Sequence, residues 1–209
     1  MSRIEKVLAE KRKAIAGVFL SVLYGLALQE MISPVRTAFR SQDFAFGDVA
    51  ILGIFVLTVI RFFIGAQLYL WDDSVAKQKG TTWLFNFAVL VAQGILFTFL
   101  GGLTSRASSG ASSLGFFNLL SWILVVDIAW ISLVLIATLL SSARAKVWSS
   151  TPWQWAVLNI SLIAITTIWG RTVGAGNQAF YAVLLGAHAL AFLIDVWLVD
   201  HCGLLEASE

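Results

Sequence analysis

Charge is scarce in this sequence. Only 12% of its 209 residues are Asp, Glu, Lys or Arg, whereas a soluble domain carries about 25%. Hydrophobic residues make up 59% of the chain before glycine is counted, against roughly 45–50% with glycine included in a soluble domain. This composition excludes a disordered chain and an ordinary soluble enzyme, and it indicates a membrane protein.

Cysteine and histidine are also scarce. The single cysteine, Cys202, excludes an internal disulfide and a cysteine-based metal cluster. The two histidines form no Glu-x-x-His pattern and no G-x-S-x-G occurs, so we expect no metal, no cofactor and no enzymatic activity. The net charge of +2 is small and the basic residues form no patch beyond the N-terminus, which excludes a nucleic-acid partner.

Six stretches are long and apolar enough to cross the roughly 30 Å hydrocarbon layer as helices. They cover about 14–32, 47–71, 83–101, 116–140, 153–170 and 179–199. The separators carry charge or turn residues, for example Ser33-Pro34. Strand-like alternation is absent, and backbone hydrogen bonds must close internally in lipid. The sequence therefore predicts an all-α polytopic membrane protein, a bundle of six transmembrane helices.

The distribution of Lys and Arg predicts the orientation of this bundle. Of 14 such residues, nine lie in the N-terminal tail and the loops on its side, four lie in the opposite loops, and Arg61 lies within a span. Both termini are therefore expected in the cytoplasm, in a plasma (inner) membrane. We divide the chain into a basic amphipathic segment (1–13) lying along the inner headgroups, a six-helix transmembrane domain (14–200) and a short cytoplasmic tail (201–209).

Small residues recur at every fourth position on two of the spans. They are Gly17, Ser21 and Gly25 on the first span and Gly94, Thr98 and Gly102 on the third. Small residues at this spacing let two helix backbones approach closely in lipid. We expect them to serve helix packing within one subunit or, alternatively, contact between subunits.

Four ionisable residues lie inside the predicted spans: Arg61, Asp127, His188 and Asp195. An Arg or Asp at the centre of a membrane helix costs roughly 2.5–3.5 kcal/mol on insertion scales, so such residues mostly pair or line a wet path. Arg61 and Asp127 lie at similar depths, ~20 and ~17 Å from the outer ends of their helices. The simplest prediction is a buried Arg61–Asp127 pair, with Arg61–Asp195 as the alternative.

The faces that carry these residues allow two interpretations each. Thr58 and Arg61 belong to a stripe of mostly small or polar residues along the second span, which suits a water-accessible face or a close-packed helix interface. His188 and Asp195 share a face of the sixth span, which suits a proton relay or a hydrogen bond to a neighbouring helix.

Amide side chains in the third and fifth spans complete the buried polar set. Asn86 and Gln93 share one face of the third span, and Asn159 shares a face of the fifth span with Thr166. We expect these residues to cross-link neighbouring helices at a modest ~0.6–2 kcal/mol each.

Two functions fit this sequence. The first is a small channel or transporter for an ion or small solute, homo-oligomeric because six short helices enclose little volume, with the buried charges gating the path or binding the permeating species. The alternative is a non-transporting interaction protein embedded in the bilayer: a subunit, an assembly factor or a membrane-disturbing effector. Its charges would only hold helices together, and a protein partner would bind its cytoplasmic face. We place the channel or transporter first.

Overall fold

The computed structural model is all-helical. It describes residues 3–41, 45–71, 79–107, 113–140, 151–173 and 177–206. The helices are α1 (Arg3–Ser41), α2 (Phe46–Trp71), α3 (Gly80–Ala107), α4 (Ser113–Leu140), α5 (Thr151–Val173) and α6 (Gln178–Glu206). Each of the six predicted spans lies within a different helix, which confirms the helical class.

Helix α1 is longer than the sequence predicted. It is one helix of 39 residues, about 58 Å long at 1.5 Å per residue. It includes most of the 1–13 segment and continues through Ser33-Pro34, so the predicted turn there is wrong. A proline removes one backbone N–H donor and crowds the preceding turn, but a helix can continue past it where neighbouring groups compensate. At the other end of the chain, α6 extends into the predicted tail as far as Glu206.

The six helices form a ring in the order α1, α3, α4, α5, α6, α2, and α2 also contacts α3. Helices α2 and α6 run parallel, because Gly47 lies against Tyr181 and Gly53 lies against Leu185. A Cβ added at Gly47 would lie 2.9 Å from the Tyr181 ring and one added at Gly53 would lie 2.8 Å from Cδ1 of Leu185, so a larger residue at either position would require the neighbouring side chain to move. The residue pairs in contact also show that α1 and α3 run parallel to each other and that both run antiparallel to α2. The beginning of α1 and the end of α6 therefore lie at the same end of the bundle.

The bundle has an apolar outer surface, and a few polar and charged side chains are buried within its hydrophobic core. Every helix exposes large hydrophobic side chains, and Phe99 and Trp122 are each 65% exposed. Arg61 and Asp195, by contrast, are each 4% exposed. Large contiguous apolar surfaces are rare on soluble monomers. Five helices, all but α5, are long and apolar enough to cross a membrane, which suggests a multi-pass membrane protein.

The small-residue stripe on α1 lies partly outside the bundle. The carbonyl of Gly17 accepts a hydrogen bond from Nε2 of Gln67 on α2, at 3.4 Å. Ser21 is exposed, and its hydroxyl donates to the carbonyl of Gly17 in the same helix. A Cβ added at Gly25 would meet no atom of the described chain within 4 Å. Within one subunit, therefore, this stripe gives a close contact only at its beginning.

The stripe on α3 packs closely against α1 at Gly94, and Gly101, which is not part of the stripe, lies still closer to α1. A Cβ added at Gly94 would lie 3.1 Å from Cβ of Leu23 on α1, while Thr98 donates its hydroxyl to the carbonyl of Gly94. At Gly102 an added Cβ would meet nothing in the described chain within 4 Å. At Gly101, which the spacing did not single out, it would lie 2.7 Å from the carbonyl oxygen of Ala27. Of these glycines, Gly101 therefore lies closest to α1.

We expect Gly101→Ala to lower the free energy of unfolding by about 1–3 kcal/mol, as other overpacked substitutions do. The clashing atom belongs to the α1 backbone, which cannot move aside as a flexible side chain can. Gly102→Ala is the matched control, and it should leave stability unchanged or raise it slightly. Unfolding in detergent micelles, followed by circular dichroism, measures both variants. Equal transition temperatures for the two would contradict a close contact at Gly101.

Candidate functional site

Hydrogen bonds between side chains cross the middle of the bundle and join five helices. Arg61 on α2 donates from Nε to Oδ2 of Asp195 on α6, and from Nη1 to Oδ1 of Asn159 on α5 at 2.7 Å. Nδ2 of Asn159 donates to Oδ2 of Asp127 on α4 at 2.6 Å. Nε2 of Gln93 on α3 donates to Oδ1 of Asp127 at 2.9 Å. We call these five buried side chains the polar network.

Asp195, and not Asp127, is the direct partner of Arg61. The preferred sequence prediction, a direct Arg61–Asp127 pair, is therefore wrong, and the alternative pair forms. The reason is the order of the helices, because α6 lies beside α2 whereas α4 lies on the opposite side of the ring. The predicted similarity in depth agrees with the structure, since Arg61 and Asp127 both bond to Asn159.

Asn159 has one amide orientation that suits both of its neighbours. Its oxygen accepts from the guanidinium of Arg61, and its nitrogen donates to the carboxylate of Asp127. The reversed amide would face NH₂ to the guanidinium and oxygen to the carboxylate, where no hydrogen bond forms. Asn159 therefore links a cation to an anion across a gap that neither side chain spans alone.

Two residues predicted with the network bond to their own helices. The hydroxyl of Thr58 donates to the carbonyl of Ile54, at 2.7 Å. His188 is 2% exposed, and its Nδ1 lies 2.9 Å from the carbonyl oxygen of Leu184. Because a carbonyl only accepts, Nδ1 carries the hydrogen and Nε2 of the neutral ring is an acceptor. His188 lies on the buried face of α6 that also carries Asp195.

The amide cross-links predicted for α3 and α5 are confirmed at three of the four positions. Gln93 and Asn159 belong to the polar network, and Asn86 accepts a hydrogen bond from Nε1 of Trp130 on α4, at 3.1 Å. Thr166 instead donates to the carbonyl of Leu162 in its own helix. Links between helices therefore occur both at the network and away from it.

Aromatic side chains on α5 and α1 lie beside the network, where the sequence did not predict them. Trp155 on α5 lies against Gly65 of α2, with Cζ of Arg61 5.9 Å from the centroid of its ring. A cation within about 6 Å of an aromatic face is attracted by it. On the α1 side, Tyr24 is buried and its ring contacts Phe97 at 5.7 Å. In the sequence, the sign of space for this large ring is Gly65, which lies four residues after Arg61 on the same face of α2.

Several polar atoms near this network have no hydrogen-bond partner in the described part of the chain. They are Nη2 of Arg61, Oδ1 of Asp195, Oε1 of Gln93, Nε2 of His188, the hydroxyl of Tyr24 and Nε1 of Trp155. An unpaired buried polar atom costs about 1–3 kcal/mol, and proteins commonly satisfy such atoms with bound water. The donors and acceptors present could together hold water or another small polar species.

No match emerges from comparison with protein-family models, with curated proteins or with solved structures. Among the described residues, no group of three or more His, Cys, Asp or Glu side chains is placed to hold a metal ion.

We expect Asn159→Ala to destabilise the protein by roughly 1–3 kcal/mol, since two interhelical hydrogen bonds are lost. The substitution leaves Nη1 of Arg61 and Oδ2 of Asp127 without their partner. Ser161→Ala is the matched control on the same helix, because Ser161 is exposed and bonds only to the carbonyl of Val157 among the described residues. Unfolding in detergent measures both, and an Asn159→Ala variant as stable as Ser161→Ala would show that the bridge contributes nothing.

Proposed function

We propose that the protein is a small integral membrane channel or transporter for an ion or small solute, and that the polar network forms part of its path or its gate. The observation that carries this proposal is the burial of Arg61, Asp127 and Asp195 inside a bundle whose outer surface is apolar. Ionisable residues in membrane helices are rare, and they commonly mark ion paths and proton relays.

The incomplete hydrogen bonding of the network also supports transport over a purely structural role. Arg61 uses two of its three side-chain nitrogens, and Asp195 uses one of its two oxygens, on partners in the described chain. A cross-link that only held helices together would be more stable with every polar atom satisfied. Unsatisfied atoms beside a charge pair leave places for a passing polar species to bind.

The membrane arrangement proposed with this function has six transmembrane helices and cytoplasmic termini, in the plasma (inner) membrane. Helix α5 would cross with the others because it packs between α4 and α6. We further propose a homo-oligomer. The exposed Ser21 and Gly25 on α1 would let the backbone of a second copy approach closely.

We expect flux in liposomes to depend on the Arg61–Asp195 pair. Arg61→Gln alone leaves a buried carboxylate without its cation, which commonly destabilises a protein. The double variant Arg61→Gln/Asp195→Asn removes one charge of each sign, so it should fold while its flux falls to the leak of protein-free liposomes. Flux assays with single-salt gradients, together with elution on a sizing column, measure function and assembly in the same samples.

Arg171→Gln is the matched control, since Arg171 is an exposed arginine near the end of α5 and its loss should not change flux. If the double variant elutes as the parent does and still transports at the parent rate, the network is not part of the path. If the parent moves no ion and the variants only fail to assemble, the interaction-protein function is favoured instead.

A further inference from the structure

The charges of the polar network do not balance. Among the described residues, the buried Arg, Lys, Asp and Glu side chains are Arg61, Asp127 and Asp195. With both carboxylates ionised, one negative charge has no counterpart. An uncompensated charge away from water is costly, and a protein commonly avoids it by binding a proton or a cation. With both carboxylates ionised, the described network is therefore one positive charge short.

The buried carboxylate and imidazole acceptor atoms that have no partner in the described chain are on α6. Both oxygens of Asp127 already accept N–H bonds, from Gln93 and Asn159. Asp195 uses Oδ2 for Arg61, whereas its Oδ1 has no partner in the described chain. Nε2 of His188, an acceptor in the tautomer that Leu184 selects, has no partner there either.

The groups facing these two α6 residues come from the other elements of the bundle. Helix α2 presents Arg61, which bonds to Asp195 and acts electrostatically on His188. Helix α5 presents the amide of Asn159, which bonds to Arg61. Asp127 on α4 interacts electrostatically with Arg61 and Asp195. The Tyr24 hydroxyl on α1 interacts in the same way with Asp127. In this setting one cation meets two carboxylates, and a neutral imidazole is available as a base.

We infer that the network and the neighbouring His188 share one exchangeable proton on α6, bound either to Oδ1 of Asp195 or to Nε2 of His188, and that the transported species is the proton. This inference rests on the proposed transport function. Binding at Oδ1 forms an O–H bond and neutralises the carboxylate. Binding at Nε2 forms an imidazolium that keeps its Nδ1–H bond to Leu184. Release breaks the same bond and returns the proton to water.

The atoms present favour a proton over a metal cation. Na⁺ or Ca²⁺ needs several oxygen ligands around one point. Here the free carboxylate oxygen of Asp195 lies beside a guanidinium N–H donor, and the imidazole nitrogen of His188 is well separated from it. Asp195 and His188 are seven residues apart, about 10 Å along the helix axis. That distance is too long for direct transfer, so water bound at the unpartnered atoms would carry the proton between them.

Infrared difference spectra of the full-length protein in membranes, recorded between acidic and alkaline pH, test the proton site. We expect a carboxylic-acid carbonyl band that is lost in Asp195→Asn and displaced in Asp195→Glu. His188→Asn keeps a donor for the Leu184 carbonyl and removes the Nε2 acceptor, so the Asp195 band should grow because the proton has one site left. Asp48→Asn, at the beginning of α2 and far from the network, is the control and should retain the parent band.

A band that survives in Asp195→Asn and in Asp195→Glu unchanged, or that disappears only in Asp127→Asn, would overturn the assignment. Asp195→Glu guards against a variant that fails to fold, since it keeps the charge and changes only its reach.

Flux separates this inference from the function on which it rests. With a pH gradient across liposomes and the membrane potential clamped, we expect proton flux in the parent that falls roughly 100-fold in His188→Asn, the scale of losing one positioned proton carrier. If K⁺, Na⁺ or Cl⁻ moves but protons do not, the inference is overturned and the transport function stands. If the infrared band behaves as expected but nothing moves, the transport role is overturned and only the proton site stands.

Discussion

A guanidinium held inside an apolar bundle is the constraint on which the rest of this structure depends. Arg61 lies inside a bundle whose exposed surface is apolar, so its charge must be met by side chains from other helices. Asp195 meets it directly, Asn159 extends it, and Asp127 and Gln93 complete the chain of bonds. One buried cation therefore fixes the rotation of five helices about their own axes.

Small residues make this arrangement geometrically available. Gly47 and Gly53 bring α2 against α6 along the half of α2 that precedes Arg61, so that Asp195 is within reach of its guanidinium. Gly65, one turn beyond Arg61, leaves the space that Trp155 occupies. Bulkier residues at these positions would separate the helices and lengthen the distances that the network must span. The same glycines that give no chemistry of their own thus position the residues that do.

The sequence could predict the helices and the buried charges, but not which charges meet. The lengths of the apolar stretches locate Arg61, Asp127 and His188 inside the predicted spans. Pairing of the charged residues was expected because burying an unpaired charge in lipid is costly whatever the fold. The partner of Arg61 depends on the order of helices around the ring, and that order follows from contacts between residues far apart in the chain. Gly101 escaped notice for a similar reason, since spacing along α3 gives no information about where the α1 backbone lies. The turn predicted at Ser33-Pro34 is absent because local turn propensity alone does not end a helix that neighbouring groups can stabilise.

The same bundle contains a neutral hydrogen bond between helices, with which the charged network can be compared. Nε1 of Trp130 donates to Asn86 and joins α3 to α4 with no formal charge. A neutral pair of this kind avoids the desolvation penalty of two ions, and replacing a buried ion pair by neutral residues is often neutral or stabilising. If the network only held helices together, amides and aromatic N–H groups could do so at lower cost. The charges at Arg61, Asp127 and Asp195 therefore need a reason beyond cohesion, and the proposed transport of a charged species is the reason we offer.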